Sequence, residues 1–332
     1  MISAAAGRFL LCFVFTDCRA LFTSQSIPGF ATIITPIMLY PTSARALPSP
    51  PMTDILDALE PHRDHHFRRV AARRVTGEKS ALKFIEEVGF CTGFTAGMGV
   101  PCLREAIAGT REPSMPEHIQ HDYAIGMTWR IKDSLPHRRA VYYGKVIARR
   151  PSFIAREMLG AFLRLRIEPG GYRKLYLRGG LSNCGKLVMD ALSKRGAAET
   201  RVLKLSSGYA QPSRRAVFDR AMAELQEKFL ALKVDERADP FSYVWDTMEH
   251  RWPDAIADAG KLTRKEAAYV IVAKYFETAA FGSERAISRL LGIDAALVEG
   301  AARRLEREGA LARGVRIDGH PGAMSLLSAF TS

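Results

Sequence analysis

A mainly α fold with small β-hairpin wings, built from tandem winged helix-turn-helix units, is what the sequence predicts, on three observations. Near the C-terminus, three helical patterns parted by short turns are followed by alternating stretches suited to a hairpin. The same order of patterns occurs roughly eighty residues earlier, a repeat of structure rather than of text. The composition is that of a globular chain, 47% hydrophobic and 25% charged over 332 residues, long enough for two or three domains.

Residues 1–51 read as a non-domain N-terminal extension. They hold Arg8, Arg19 and Arg45 against Asp17, with two apolar runs, FLLCFVF and FATIITPIMLY, the second broken by Pro36. Neither run reaches the ~20 residues that span a bilayer, so no membrane partner is expected. Arg8, the first run and Ala44-Arg45-Ala46 sketch a signal peptide, but Asp17 and Arg19 follow that run directly and leave the cleavage-like site too far away. Met52, where the composition changes, is an alternative start, and a cytoplasmic protein is expected from there.

Residues 52–175 read as a degenerate winged-helix-like region. In it SALKFIEEV spells a helix whose last residue, Val88, opens VGFCTGFTAGMG, with four glycines and Cys91 in twelve positions. No G-x-x-x-x-G-K-[ST] or strand-led G-x-G-x-x-G is present, so a phosphate loop is not predicted and no cofactor is expected. The glycines are read as tight turns beside a packed strand, with Cys91 a small core residue. Five cysteines without a C-x-x-C pair point to a reducing compartment. His62, His65 and His66, and His118 with His121, show metal-like spacing, but no helix is evident at either place, and no metal is expected. Further on, Trp129, Lys132, Lys145, Arg149 and Arg150 interleave with Tyr142 and Tyr143. Such a tract either stacks bases and holds phosphates or packs its aromatics inward under solvated cations.

Residues 176–240 form the first clear winged helix. LSNCGKLVMDALSKRG puts Cys184, Leu187, Val188, Ala191 and Leu192 on one face, ETRVLKLSSG follows as a short helix, and SRRAVFDRAMAELQEKF is the third. In that third helix Phe218, Ala221, Met222 and Leu225 make the core stripe, with Arg214, Arg215 and Arg220 at its start or outer face. FLALKVDER supplies a wing strand, and 241–262 connect to the second winged helix at 263–320. There Thr263 and Glu266 form a capping box, with Ala268, Ile271, Val272, Tyr275, Phe276 and Ala279 inward. Ser283 caps the next helix, Gly292 ends it, and Asp294 caps a third whose buried face is Leu297, Ala301 and Leu305. ALARGVRIDG, centred on Gly314, reads as the hairpin, and 321–332 as a tail.

A net charge of +13, from 48 Lys and Arg against 35 Asp and Glu, favours a polyanionic partner. In a winged helix the third helix enters the major groove and wing cations meet the backbone. Double-stranded DNA is therefore the expected partner, and the candidate contacts are Lys132, Lys145, Arg149, Arg150, Arg214, Arg215, Arg220, Arg303, Arg307, Arg313 and Arg316.

The stretches WRIKDSLP, YYGKVIARRP, FDRAMAELQEKF and AAYVIVAKYFETAAFGSERAISRLLGI resemble the AlkZ-related branch of winged-helix DNA-binding proteins, kin of the AlkZ/YcaQ glycosylases that remove alkylated bases. The resemblance implies tandem winged helices on duplex DNA. In the glycosylases it also implies a Q-x-Q or Q-x-D motif, placed after a helix and a glycine, that positions the attacking water. Here the corresponding stretch is Phe90-Cys91-Thr92-Gly93-Phe94, without Gln, Asp or Glu, so no catalytic residue carries over. Three readings stand: a non-catalytic DNA binder of this kin, a glycosylase using other residues (Lys132, Asp133, Lys145, Glu117 or Asp122), and a transcriptional regulator.

Overall fold

The computed structural model describes residues 53–167 and 170–331; the extension assigned to 1–51 lies outside them. Helix α1 (Thr53–His66) opens the described chain. The expectation of no helix at PHRDHH is overturned, because α1 runs through Pro61 to His66. Burial holds it: Leu59 and Phe67 are fully enclosed, and the helix packs against α12, described below.

Three copies of one topology follow. The first comprises α2 (Glu78–Val88), β1 (Phe90–Thr92), α3 (Leu103–Ala108), α4 (Tyr123–His137), β2 (Val141–Ile147) and β3 (Arg150–Ala155). Gly89, at φ +76°, turns the chain from helix to strand, where an L side chain is strained. Asp122 caps α4 by accepting from the Ile125 N–H at 2.6 Å. Helices α5 (Arg156–Arg166) and α6 (Gly171–Leu177) lead on.

The second copy is α7 (Asn183–Arg195), β4 (Ala198–Glu199), α8 (Thr200–Ser206), α9 (Arg215–Glu227), β5 (Ala231–Arg237) and β6 (Ser242–Thr247). Phe218, Ala221, Met222 and Leu225 are buried as the periodicity requires, whereas Leu187 is half-buried. Helices α10 (Met248–Arg251) and α11 (Pro253–Lys261) connect to the third copy. That copy is α12 (Arg264–Ala279), β7 (Phe281–Gly282), α13 (Glu284–Leu291), α14 (Ala295–Arg307), β8 (Leu311–Val315) and β9 (Met324–Leu327). The predicted caps form: Thr263 and Glu266 bond reciprocally, Ser283 accepts from Ala286 N–H, and Asp294 accepts from Ala296 N–H.

In every copy the first strand pairs with the third, which pairs with the second, all antiparallel. The fold is mainly helical with small antiparallel sheets. Three sequence expectations are corrected here. Strands β6 and β9 lie in segments read as a connector and a tail. Gly314, at φ +76°, sits inside β8 at a register shift rather than at the hairpin turn. On α14 the buried face includes Val298, with Leu297 only half-buried, a phase error of one residue. No helix among the described residues is long and apolar enough to cross a membrane.

Candidate nucleic-acid interface

The stretch 88–99 resolves into a helix end, a buried strand and a turn-rich link. Phe90 and Cys91 are wholly enclosed, and burial pushes the Cys91 thiol well above its ordinary range, which suits an inert core residue. The Thr92 hydroxyl donates to the Thr95 carbonyl at 2.6 Å, so its proton is committed.

The aromatic tract divides. Tyr142 is buried and stacks on Phe229 of the second repeat at 5.1 Å between centroids, and the Tyr143 ring lies 4.9 Å from that of Phe153. Tyr142 is core, and Tyr143 is half-buried against Phe153; neither stands free as a stacking platform. Trp129 is different: it is 51% exposed, lies 5.4 Å from Phe94, and carries the Lys132 ammonium 4.7 Å from its ring.

Lys132 itself is buried, donating to Asp133 at 2.5 Å and to Glu236 of β5 at 3.3 Å. Burial opposes its charge, but these bonds hold its pKa above the usual lysine value. Lys233, bonded to the same Glu236, is pulled down by burial and by the neighbouring ammonium. Lys132 is thus a bridge between the first two repeats and does not face solvent as a phosphate contact would. Asp133 belongs to that bridge, and Asp122 is a helix cap.

The remaining predicted cations fall into three places. Arg214, Arg215 and Arg220 ring the exposed start of α9, where Arg215 pairs with Asp219, at 3.6 Å, and Arg220 bonds its own helix backbone. On α14 and β8 the arginines are largely consumed. Arg303 bonds Glu299, and Arg313, only 23% exposed, bonds Glu284 at 2.7 Å and Glu306 at 3.4 Å. Arg307 is exposed and bonds backbone, and Arg316 is exposed without a carboxylate partner among the described residues.

Lys145, Arg149 and Arg150 lie on the β2–β3 hairpin. Its tip, Ala148 and Arg149 at φ +46° and +59°, makes the tight turn that matches strand twist. The tip is docked: Ala148 N–H donates to the Leu290 carbonyl at the end of α13, at 2.7 Å. Arg166, at the end of α5, donates to the next carbonyl, Leu291. Between hairpin, α9 and α13 opens a cavity of about 280 Å³, lined by Lys145, Arg149, Arg166 and Arg289 with Glu227 as its one carboxylate. Arg149 reaches Glu227 at 3.3 Å. Lys145 and Arg289 have no carboxylate partner among the described residues. Burial pulls the Arg166 guanidinium below arginine's ordinary range. Arg166 and Arg289 escaped the sequence reading because nothing local announces that a hairpin docks on a helix so distant in the chain.

A second cavity, about 360 Å³, lies between α1 and the loops flanking α3. Its arginines are matched by carboxylates. Arg69 bonds Asp64 at 2.8 Å and approaches Glu60 and Glu105, Arg111 bonds Asp64 at 2.6 Å, and Arg63 bonds Glu60 at 3.1 Å. Glu105 is buried, which raises its pKa. No group of three or more metal-ligating His, Cys, Asp or Glu side chains occurs among the described residues.

No curated protein matches this sequence. Among solved structures, the DNA glycosylase AlkZ of Streptomyces sahachiroi is similar at a TM-score of 0.49 and 12% identity, over 80% of this chain and 70% of that one. A family model described as "AlkZ related" matches residues 75–292. That match begins just before α2, takes in the first two repeats whole, and ends at Gly292, the residue that caps α13; the chain belongs to the AlkZ-related family.

Proposed function

We propose that this protein binds double-stranded DNA through three winged-helix units and lacks the base-excising motif of its glycosylase kin. The helix–strand–helix–helix–hairpin order, three times over, supports the winged-helix reading, with α4, α9 and α14 as the third helices. The DNA-binding surface comprises the α9 arginines (Arg214, Arg215, Arg220), the hairpin cations (Lys145, Arg149, Arg150) and Arg307 and Arg316. Arg303 and Arg313 contribute less because carboxylates already hold them. The observation that carries this reading is the cavity where hairpin, α9 and α13 meet, where four cations face one carboxylate.

Absence of excision rests on the stretch after Gly89. Water attack on a sugar needs an oriented amide or carboxylate, and Phe90, Cys91 and Thr92 offer two enclosed apolar groups and a committed hydroxyl. A role on distorted or alkylated duplex, inside the cell, is the extension of this reading that family membership favours.

The test is duplex binding from 50 to 200 mM salt together with release of free base from an alkylated duplex. The expected outcome is binding whose log K falls by about 0.9 per neutralised phosphate against log salt, with no base released. Salt-insensitive affinity would count against the DNA reading, and base release would make the protein an enzyme.

A further inference from the structure

We infer that the cavity between the β2–β3 hairpin, α9 and α13 is a binding site for a single phosphate group, which bridges the first and third repeats. The inference deepens the DNA-binding reading and rests on it only for the source of the phosphate.

The cavity is assembled from all three repeats. Lys145 and Arg149 come from the first, Glu227 from the end of α9 in the second, and Arg289 from α13 in the third. Arg166 enters from α5. Its structural bonds are already made. The Ala148 N–H and the Arg166 guanidinium take the carbonyls of Leu290 and Leu291, and Arg149 takes Glu227. What remains is the charge of Lys145 and Arg289, with that of Arg166 answered only by a carbonyl. Arg166 is half-buried while Lys145, Arg149 and Arg289 stand exposed around it; like charges gathered at one opening repel one another, and an anion that accepts several charge-assisted bonds relieves that cost. Arginine forks pair bidentately with phosphate or carboxylate, and together with the lysine point charge they offer donors to more oxygens than a carboxylate carries.

The source is either a DNA backbone phosphodiester or a free phosphate ester, and the same experiment separates them. The full chain is melted in inorganic phosphate and in chloride at matched ionic strength, beside Arg289→Ala, Lys145→Ala and the control Arg285→Ala, an exposed position on the same helix. Binding of a plain duplex is followed in parallel. The expected result is a phosphate-specific rise in Tm for the parent and the control, with phosphate affinity about tenfold weaker in each of the other two variants. If DNA supplies the group, those two variants also weaken duplex binding, and each lowers the salt slope by about 0.9. If a free phosphate ester is the ligand, the Tm response is lost in them while duplex binding holds.

Absence of any phosphate-specific shift, with duplex affinity of Arg289→Ala equal to the parent's, overturns the inference and leaves the DNA reading standing. Equal losses in Arg285→Ala overturn it as well, since they reveal a general charge effect. A parent that shows the phosphate shift but binds no duplex removes the DNA reading and keeps the site.

Discussion

Two cavities of similar size, about 360 and 280 Å³, are both lined by arginine, and they have opposite electrostatic characters. Beside α1, Arg63, Arg69 and Arg111 interlock with Glu60, Asp64 and Glu105, so each charge is answered within the chain. At the junction of the repeats, four cations share one carboxylate. A count of arginines would rank the two alike. What separates them is whether the partner charge is covalently part of the protein, and only a cavity that lacks it has reason to recruit an anion from outside.

The sharpest way to break this comparison is to remove one side of each. Arg69 and Glu105 have side chains 9% and 1% exposed. Arg69→Ala takes away the cation beside the buried Glu105 carboxylate, leaving it the Glu112 N–H at 2.8 Å, together with the bond to Asp64, and is expected to cost about 3–5 kcal/mol in denaturant unfolding. A loss below about 1 kcal/mol would mean that the α1 cluster is solvated and the contrast false.

Acid comes next. His66, on α1, has its pKa lowered to about 4 by burial first, then by His62, His65, Arg73 and Lys274. The unfolded chain therefore binds a proton that the folded chain refuses. The His66 contribution is fully present above pH 6.5 and is lost as pH falls toward 4. Denaturant midpoints between pH 7 and 4.5 should drop, and His66→Gln should flatten that slope. An unchanged slope would show that His66 does not sense the fold.

Smaller effects belong to the junction. Glu227→Gln removes its one carboxylate and should tighten phosphate binding roughly two- to fivefold by titration; weaker binding would mean that Glu227 orders Arg149 rather than opposing the anion. In phosphate-free buffer, Arg289→Ala should change unfolding free energy by no more than about 0.5 kcal/mol. A larger loss would place Arg289 among the structural arginines, with those of α1.

How much of this was legible in the sequence follows from how far apart the interacting residues are. Thr263 with Glu266, Ser283, Gly292 and Asp294 act within one helical turn, and the helices they bound were readable. The hairpins were half read. In the third repeat eight residues, 316–323, part β8 from β9, so no two-residue turn signalled the second strand, and Gly314 advertised a turn that the chain uses as a bulge. Helix α1 was hidden by Pro61 and by a polar run that only tertiary packing makes helical. The site was the least legible part. Lys145 and Arg149 stood out as cations, but Arg166 and Arg289 join them through contacts between distant repeats, and Lys132 looked equally available until the structure closed Asp133 and Glu236 around it.

The docking of Ala148 on Leu290 also sets an order of events during synthesis. The ribosome delivers the first hairpin long before α13, so the tip N–H waits without its carbonyl while the second repeat emerges and folds. Until the third repeat leaves the exit tunnel, the nascent chain carries Lys145, Arg149 and Arg166 as scattered charges. The cavity comes into being with one of the last contacts made, so a product truncated before α13 would retain most of the protein's basic character and have no assembled pocket.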